Sequence, residues 1–205
     1  MIIQKFPSGP LSVNCYFVGD ETTKKAFIVD PGGYSGALDR YVKENAYTVV
    51  YIVLTHGHSD HIGGVKDYQS AYKAKIVAHK DEAPLLNNAA NNFSKEVYGK
   101  PIAFEADIYV DETTTLSVGT MTLNFIHTPG HSPGGMSILV DKHLFSGDTL
   151  FFESIGRTDF PNSSFEALSN SVHQKLFSLP DDTAVYPGHM GETTIGHEKK
   201  YNPFI

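Results

Sequence analysis

The sequence predicts an α/β fold, in which β-strands and α-helices alternate along a chain of 205 residues. Short segments with apolar residues at every second position are bounded by Pro and Gly, and longer segments with helical spacing lie between them. Hydrophobic residues make up 40% of the chain, and no linker divides it. Because a chain of this length can bury roughly 70% of its surface, we expect a single domain, residues 1–205, with its own core.

The first half of the chain is expected to begin with strands and to continue with helices between them. Ser35 is a candidate N-cap for the first helix, because a serine hydroxyl can accept a hydrogen bond from an amide of the first turn. The continuous apolar run at residues 49–54 is typical of a strand that is covered on both faces. Strands are predicted at residues 2–6, 13–19, 26–29, 49–54 and 75–78, and helices at residues 35–46 and 62–72.

The second half begins with an irregular segment, residues 84–107. Its Asn-rich stretch at residues 87–92 favours neither helix nor strand, so we expect a long connection there, which could be a lid over a site or a plain surface loop. Further strands are predicted at residues 115–118, 121–127, 136–140, 143–146 and 183–186, and helices at residues 164–177 and 194–200.

The composition excludes several classes of partner. The formal charge is −7, from 16 basic and 23 acidic residues, which argues against a nucleic-acid partner. No apolar stretch reaches the ~20 residues of a membrane span, so no membrane partner is expected. Residues 1–6 lack the features of a signal peptide, and the one cysteine, Cys15, is expected to be a small buried hydrophobe, so we expect a cytoplasmic protein. The sequence leaves the oligomeric state open.

Four potential metal ligands lie within six residues, directly after the run at residues 49–54. They are His56, His58, Asp60 and His61. Residues two apart in a loop that leaves a strand can point the same way, so His56 and His58 can hold one cation while Asp60 and His61 turn towards a second. Imidazole nitrogens with carboxylate oxygens suit zinc or iron and are poor ligands for calcium or magnesium.

Three more ligand-type residues follow predicted strands. His131 and His189 each follow a Pro-Gly pair, and Asp148 follows the strand at residues 143–146. Together with the first four they make seven ligand-type groups at strand ends, where open α/β sheets place their sites. The other histidines lack this setting and are expected to lie on the surface or in hydrogen bonds, although His79 could support the site from behind: His79, His127, His143, His173 and His197.

With these motifs in place, the chain resembles the metallo-β-lactamase superfamily, and within it the glyoxalase II (hydroxyacylglutathione hydrolase) enzymes and their short bacterial relatives. The segments Gly156-Arg157-Thr158-Asp159-Phe160 and Thr193-Thr194-Ile195-Gly196-His197-Glu198 add to the resemblance. It implies an αββα sandwich, in which two mixed β-sheets lie face to face with helices on the outer faces. It also places the metals at one edge of the sandwich.

The resemblance implies a role for each candidate residue. His56, His58 and His131 would hold the first metal, Asp60, His61 and His189 the second, and Asp148 would bridge both. Two Zn²⁺ ions are expected, with iron or mixed zinc and iron as the alternative. Asp30 would orient a ligand histidine or bind its own turn. Arg157 would bind a substrate carboxylate or pair with an acid such as Asp159.

The implied activity is hydrolysis of S-D-lactoylglutathione or a similar small acyl thioester, in which a metal-bound hydroxide, positioned by Asp60, is the nucleophile. Asp60 and Asp148 are the candidate catalytic residues. A thiolate leaves readily, so no dedicated general acid is needed. Full-length glyoxalase II enzymes carry a C-terminal helical domain that contributes basic residues for glutathione. This chain ends at Ile205, so we expect it to lack that domain, and the thiol carrier stays open.

Two rival functions remain. A persulfide dioxygenase of the same fold would use one iron, held by His56, His131 and Asp148, to activate O₂. A structural zinc protein would normally close a shell of four ligands, which fits seven ligand-type groups badly. A β-lactamase is disfavoured by the missing signal peptide, and an RNA-processing nuclease by the absence of a basic surface and a large inserted domain.

Overall fold

The computed structural model describes residues 1–205 and contains two six-stranded mixed sheets. The strands of the first sheet are β1 (Ile2–Ser8), β2 (Val13–Gly19), β3 (Lys25–Val29), β4 (Thr48–Val53), β5 (Lys75–His79) and β6 (Ile108–Val110). They pair in chain order. The first three strands are antiparallel, and β3 to β6 run parallel.

Parallel neighbours need crossover connections, and the helices of the first half provide them. These helices are α1 (Gly36–Glu44), α2 (Ser59–Ile62), α3 (Val65–Tyr72), α4 (Ala83–Leu86) and α5 (Ser94–Tyr98). Ser35 caps α1 as predicted, since its Oγ accepts a hydrogen bond from Leu38 N at 3.3 Å.

The second sheet has the order β14-β13-β10-β9-β8-β7. Its strands are β7 (Thr115–Val118), β8 (Met121–His127), β9 (Met136–Val140), β10 (His143–Gly147), β13 (Ala184–Pro187) and β14 (Thr193–Thr194). A separate two-stranded sheet consists of β11 (Leu150–Phe151) and β12 (Ser154–Ile155). The helices of this half are α6 (Phe165–Gln174) and α7 (Ile195–Tyr201). Strands β10 and β13 are parallel, and the other pairs in the second sheet are antiparallel.

Three apolar clusters show the layers of the molecule. Alternate residues of β2 point to opposite faces, so Phe17 packs with α1 and α3, whereas Tyr16 packs between the sheets with residues such as Phe145. On the far side, Leu144 of the second sheet packs with Val172 of α6. The order of layers is therefore helix, sheet, sheet, helix, and the predicted αββα sandwich is confirmed. None of the helices has the length and apolar character needed to cross a bilayer.

The predicted helix at residues 62–72 is present from Val65 to Tyr72, but its start differs from the prediction. The structure has two helices, α2 and α3, that are separated at Gly63 and Gly64, and the first begins at Ser59. At these two glycines the chain lies against the turn that follows β3. Gly64 N donates to Pro31 O at 2.7 Å, and a Cβ on Gly63 would lie 2.3 Å from Gly32 O. As a result, part of the histidine motif lies in a one-turn helix, where the sequence predicted a loop.

The irregular segment 84–107 holds most of α4 and all of α5, so it is more ordered than predicted. Strands β6, β11, β12 and β14 were not predicted either. Each has only two or three residues, which is too short for a periodic pattern to show.

Candidate metal centre

The structure brings all seven ligand-type residues together at one edge of the sandwich. His56 and His58 follow β4 of the first sheet, and Asp60 and His61 lie in α2. Strands β8, β10 and β13 of the second sheet all run in the same direction, because β8 and β10 are each antiparallel to β9 and β13 is parallel to β10. Their carboxyl ends therefore meet at this edge and deliver the other three residues: His131, Asp148 and His189.

The first group consists of His56, His58 and His131, all buried. One nitrogen from each ring lies within 4.8 Å of the others. Nδ1 of His58 is 2.9 Å from Nε2 of His131, and the ring of His56 lies 4.8 Å from each of the other two rings. Three imidazoles that converge in this way, with no carboxylate among them, form a site for a borderline-soft cation such as zinc or iron.

The second group consists of Asp60, His61 and His189. Oδ2 of Asp60 lies 3.3 Å from Nε2 of His189 and 3.7 Å from Nε2 of His61. Asp148 lies between the two groups, with Oδ1 3.3 Å from His61 Nε2 and Oδ2 3.6 Å from both His131 Nε2 and His189 Nε2. Asp148 is thus placed to serve both groups at once.

Three buried polar atoms in this cluster have no hydrogen-bond partner: His56 Nε2, His61 Nε2 and Asp148 Oδ1. A buried polar atom without a partner costs free energy, so each is expected to bind something that the protein chain does not supply. All three atoms belong to side chains that lie within 4.8 Å of one another through their ligand atoms. This arrangement fits divalent cations.

Outer contacts fix the orientation of two rings. Asp30 Oδ2 accepts a hydrogen bond from His61 Nδ1 at 2.9 Å, and the same carboxylate accepts from Thr55 N at 2.8 Å and Thr55 Oγ1 at 2.6 Å. Asp30 therefore contacts one of the ligand candidates, His61, together with the residue that precedes the histidine motif, Thr55. His131 Nδ1 donates to Arg157 O at 2.8 Å, which leaves Nε2 free to face the cluster.

Two glycines allow the backbone to approach the cluster. Gly147, just before Asp148, has a φ of +52°, and a Cβ there would lie 2.3 Å from Thr55 Oγ1. At Gly188, a Cβ would lie 2.4 Å from Asp148 Oδ1 and 2.6 Å from His61 Cε1. The glycines of the two motifs are therefore required by close packing around the candidate ligands.

Burial and mutual repulsion keep the histidines of the first group neutral. Burial, with the neighbouring rings, lowers the pKa of His56 well below its ordinary value, and burial together with His131 lowers the pKa of His58 to about 3. Burial alone would also lower the pKa of His61, but Asp148, Asp60 and Asp30 together raise it well above its ordinary value. The first group thus presents neutral nitrogens, whereas the second has enough carboxylate to stabilise positive charge.

A cavity of 650 Å³ opens onto the cluster. Its polar end includes Asp60 and Asp148, and its walls are largely apolar. Phe93 and Phe160 lie 5.2 Å apart, and both rings approach the ring of His58, at 5.6 and 5.1 Å. Phe93 belongs to the segment 84–107, so this segment forms part of the cavity wall. The exposed Arg157 lies at the rim. Its guanidinium stacks on Phe160 at 4.4 Å and makes two hydrogen bonds, of 2.9 and 2.8 Å, to Asp159.

The remaining histidines lie outside the cluster. His79 and His127 stack on each other at 4.0 Å, His143 bonds to Tyr186, and the last two lie on helices α6 and α7. Cys15 is buried as predicted, and burial raises the pKa of its thiol.

Some supporting residues were not singled out from the sequence. Asn14 donates to Pro187 O and Met190 O, both at 3.0 Å, and so holds the turn of His189. The signal that could have identified it is a polar residue within an otherwise apolar strand. Thr55 directly precedes the histidine motif, and Phe160 lies in the quoted Gly-Arg-Thr-Asp-Phe segment, so their positions were available but their contacts were not.

Comparison with protein families and curated relatives places this centre in a known context. A family model described as the metallo-beta-lactamase superfamily matches residues 8–189. A probable metallo-hydrolase of Bacillus subtilis, YqgX, is 37% identical over 98% of this chain and 96% of that protein. The hydroxyacylglutathione hydrolase GloC of Haemophilus influenzae is 33% identical over 100% of this chain and 98% of that protein.

Solved structures show the same architecture. The B3 metallo-beta-lactamase BLEG-1 superposes with a TM-score of 0.92 at 40% identity, and the match covers 99% of both chains. TTHA1623, crystallised in a di-iron-bound form, superposes with a TM-score of 0.85 at 32% identity, and the match covers 98% of this chain and all of that one. ETHE1 from Myxococcus xanthus superposes with a TM-score of 0.80 at 30% identity, and the match covers 99% of this chain and 84% of that one.

Proposed function

This chain belongs to the metallo-beta-lactamase superfamily, and we propose that within it the protein is a metal-dependent hydrolase of small acyl thioesters, with S-D-lactoylglutathione as the first substrate to test. One observation carries the proposal. Seven ligand-type side chains, three of them with unpartnered buried atoms, form one cluster, and five of the seven line a 650 Å³ cavity with largely apolar walls. The similarity to hydroxyacylglutathione hydrolase GloC directs the proposal towards a thioester.

Two divalent cations fit this arrangement, with zinc as the first expectation. His56, His58 and His131 would hold one ion, and Asp60, His61 and His189 the other, with Asp148 shared. Because the similar protein TTHA1623 was crystallised with two irons, iron is the alternative. When bound, such ions lower the pKa of water towards about 7 and polarise a carbonyl group, which is the chemistry that thioester hydrolysis needs.

The residues of the chain supply position and proton handling. Asp60 lines the cavity, and its carboxylate could accept a hydrogen bond from an attacking water molecule and so direct the oxygen at the substrate. Asp148 holds both groups in one unit through its two carboxylate oxygens. The leaving group is a thiolate, which needs no proton to depart at neutral pH, so the reaction requires no dedicated general acid.

The apolar walls suit the organic part of a thioester. Phe93 and Phe160 shield the rings of His58 and His131 from one side, and they exclude bulk water from the place where the carbonyl would lie. Arg157 is the cation at the cavity rim, and we propose that it meets a substrate carboxylate. Since Asp159 already binds it in bidentate fashion, a substrate carboxylate would have to compete, and the gain in affinity is expected to be modest.

The test measures metal content and hydrolysis on the same purified sample. We expect two metal ions per chain, and release of thiol from S-D-lactoylglutathione that is lost in His58→Ala. The matched control His173→Ala, at an exposed helix position, should keep full activity. A fully metal-loaded protein that hydrolyses no thioester would overturn the proposal.

Two other substrates distinguish the rival functions. Consumption of O₂ with glutathione persulfide, by protein that holds one iron, would indicate a dioxygenase. Hydrolysis of a β-lactam in place of thioesters would indicate the activity named for the similar protein BLEG-1. A metal that cannot be removed without unfolding, with no activity, would indicate a structural zinc protein.

A further inference from the structure

A buried carboxylate outside the seven-residue cluster joins two of its loops. Glu82 ends the short 3₁₀ turn Lys80–Glu82 that follows β5, and its side chain has no exposed surface. Oε1 accepts a hydrogen bond from Gly57 N at 2.7 Å. Oε2 accepts from Gly134 N at 2.7 Å and from Ser132 Oγ at 3.1 Å.

These donors belong to the two loops that carry the first group of candidate ligands. Gly57 lies between His56 and His58, and Ser132 directly follows His131. The two loops come from different sheets, after β4 and β8, and are more than 70 residues apart in the sequence. Glu82 is thus a common acceptor for both, and each of its oxygens serves one loop.

The close fit around Glu82 supports a specific role. A Cβ on Gly134 would lie 2.2 Å from Glu82 N and 2.6 Å from Oε2, so the backbone of this loop is pressed directly against the glutamate. Burial raises the pKa of Glu82 to about 7, against the effect of the three donors. All three partners are uncharged donors. A buried carboxylate without a cation is costly, and it is expected where its hydrogen bonds fix a geometry.

A pair of stacked histidines, His79 and His127, connects the turn that carries Glu82 with the loop that contains Gly134. His79 accepts a hydrogen bond from Asp81 N at 3.3 Å and so caps the turn that carries Glu82. His127 stacks on His79, and its Nε2 lies 2.9 Å from Pro133 O in the loop that contains Gly134. The turn and the loop are therefore also held together by a second contact, at the histidine pair.

We infer that Glu82 is a positioning residue that sets the distance between the His56-Gly57-His58 turn and the His131 loop, and thereby the affinity of the first metal group. It touches neither the cavity nor the second group. The inference rests on the proposed metal centre and adds to it a residue that acts through the backbone of the ligand loops. A carboxamide cannot replace the carboxylate here, because in Glu82→Gln one loop would face an NH₂ group instead of an acceptor.

The experiment compares zinc binding to metal-free wild type, Glu82→Gln and the control Glu105→Gln, with chelator competition to resolve the two ions. The control makes the same change at an exposed glutamate that belongs to none of the groups of potential metal ligands. We expect Glu82→Gln to weaken binding of one of the two zinc ions by roughly ten- to a hundredfold and of the other much less, and Glu105→Gln to match wild type. Excess zinc should restore thioester hydrolysis to Glu82→Gln, because Glu82 contacts no substrate.

Three outcomes separate the possibilities. If wild type binds zinc and Glu82→Gln binds both ions as tightly, Glu82 has no positioning role. If Glu82→Gln lowers the melting temperature of the metal-free protein and leaves the ratio of the two zinc affinities unchanged, its role is structural only, and the inference also fails. If wild type itself binds no metal, the proposed function fails first. Should Glu82→Gln not fold, Ser132→Ala, which removes one donor, is expected to weaken the same ion by a few-fold, and unchanged binding would contradict the inference.

Discussion

Replacement of Asp30 by Asn tests how the cluster obtains nitrogens that can bind a metal. Ionised Asp30 can only accept hydrogen bonds, so His61 must carry its proton on Nδ1, and the Thr55 hydroxyl must donate its proton to Asp30. Thr55 Oγ1 can then only accept from His56 Nδ1, which lies 3.2 Å away. Once a metal displaces the second proton that the surrounding carboxylates allow His61 to hold, both rings present a lone pair on Nε2, and these two Nε2 atoms are among the unpartnered buried atoms of the cluster.

In Asp30→Asn, an NH₂ group takes the place of Oδ2 and donates where the carboxylate accepted. His61 then accepts on Nδ1, Thr55 donates to His56, and both rings turn to the tautomer with a proton on Nε2. Restoring the metal-binding tautomer leaves a donor unpaired at each ring, which costs about 1–3 kcal/mol per ring. That cost corresponds to zinc affinity roughly ten- to a hundredfold weaker for each ion. Asn tolerates the φ of +49° at this position, so backbone strain is not expected.

The assay is zinc titration of the metal-free variant against a chelator, beside thermal unfolding of the same sample. The matched control is Asp20→Asn. Asp20 is also a buried carboxylate and accepts hydrogen bonds from Thr23 Oγ1 and Thr120 N, both at 2.7 Å, but it contacts none of the seven cluster residues. The control should lose stability and keep its zinc affinity. Binding of two zinc ions to Asp30→Asn with affinities within threefold of wild type would refute this reasoning.

Three further predictions concern Asn14, His79 and the response of the whole protein to metal removal. Asn14→Ala leaves Met190 O without its donor, whereas Pro187 O keeps the hydrogen bond from Tyr16 OH, so the change should lower the free energy of unfolding by about 0.5–1.5 kcal/mol and reduce occupancy of the second ion, and full occupancy by elemental analysis would count against it. Burial, with His127 beside it, lowers the pKa of His79 to about 4, so between pH 6.5 and 4 only the unfolded chain takes up this proton. As the pH is lowered across this window, the free energy of unfolding of the metal-free protein should therefore decrease more steeply in wild type than in His79→Asn. Parallel curves for the two proteins would disprove the lowered pKa of His79. Removal of metal by a chelator should abolish hydrolysis and leave the far-ultraviolet circular dichroism nearly unchanged, because none of the three apolar clusters contains a candidate ligand; unfolding on chelation would contradict this.

The α/β class and the seven ligand-type residues were predictable because both depend on local signals, whereas the αββα arrangement was implied by the resemblance to a family. Strand β2 has the predicted bounds, since its alternation of faces is unbroken, and the candidate ligands follow strand ends. The break between α2 and α3 was not predictable, because it depends on the approach of Pro31 to Gly64 across more than 30 residues. A helical pattern carries no information about such a contact.

The supporting residues of the cluster show the same limit more clearly. Glu82 lies in a charged stretch, Lys80-Asp81-Glu82, that is typical of an exposed turn, yet it is fully buried. What buries it is the arrival of two loops from different sheets, and their donors are backbone amides, which every sequence has. Arg157 was expected to meet a substrate or an acid, and in the structure its guanidinium makes two hydrogen bonds to Asp159.

The most direct test of the account is the rate of thioester hydrolysis as zinc is added in known equivalents to the metal-free protein. The account predicts no hydrolysis without metal, a rate that rises as zinc is added, and a maximum at two equivalents per chain, when both groups and the shared Asp148 are occupied. Full hydrolysis by the metal-free protein, or none at two bound equivalents, would contradict it.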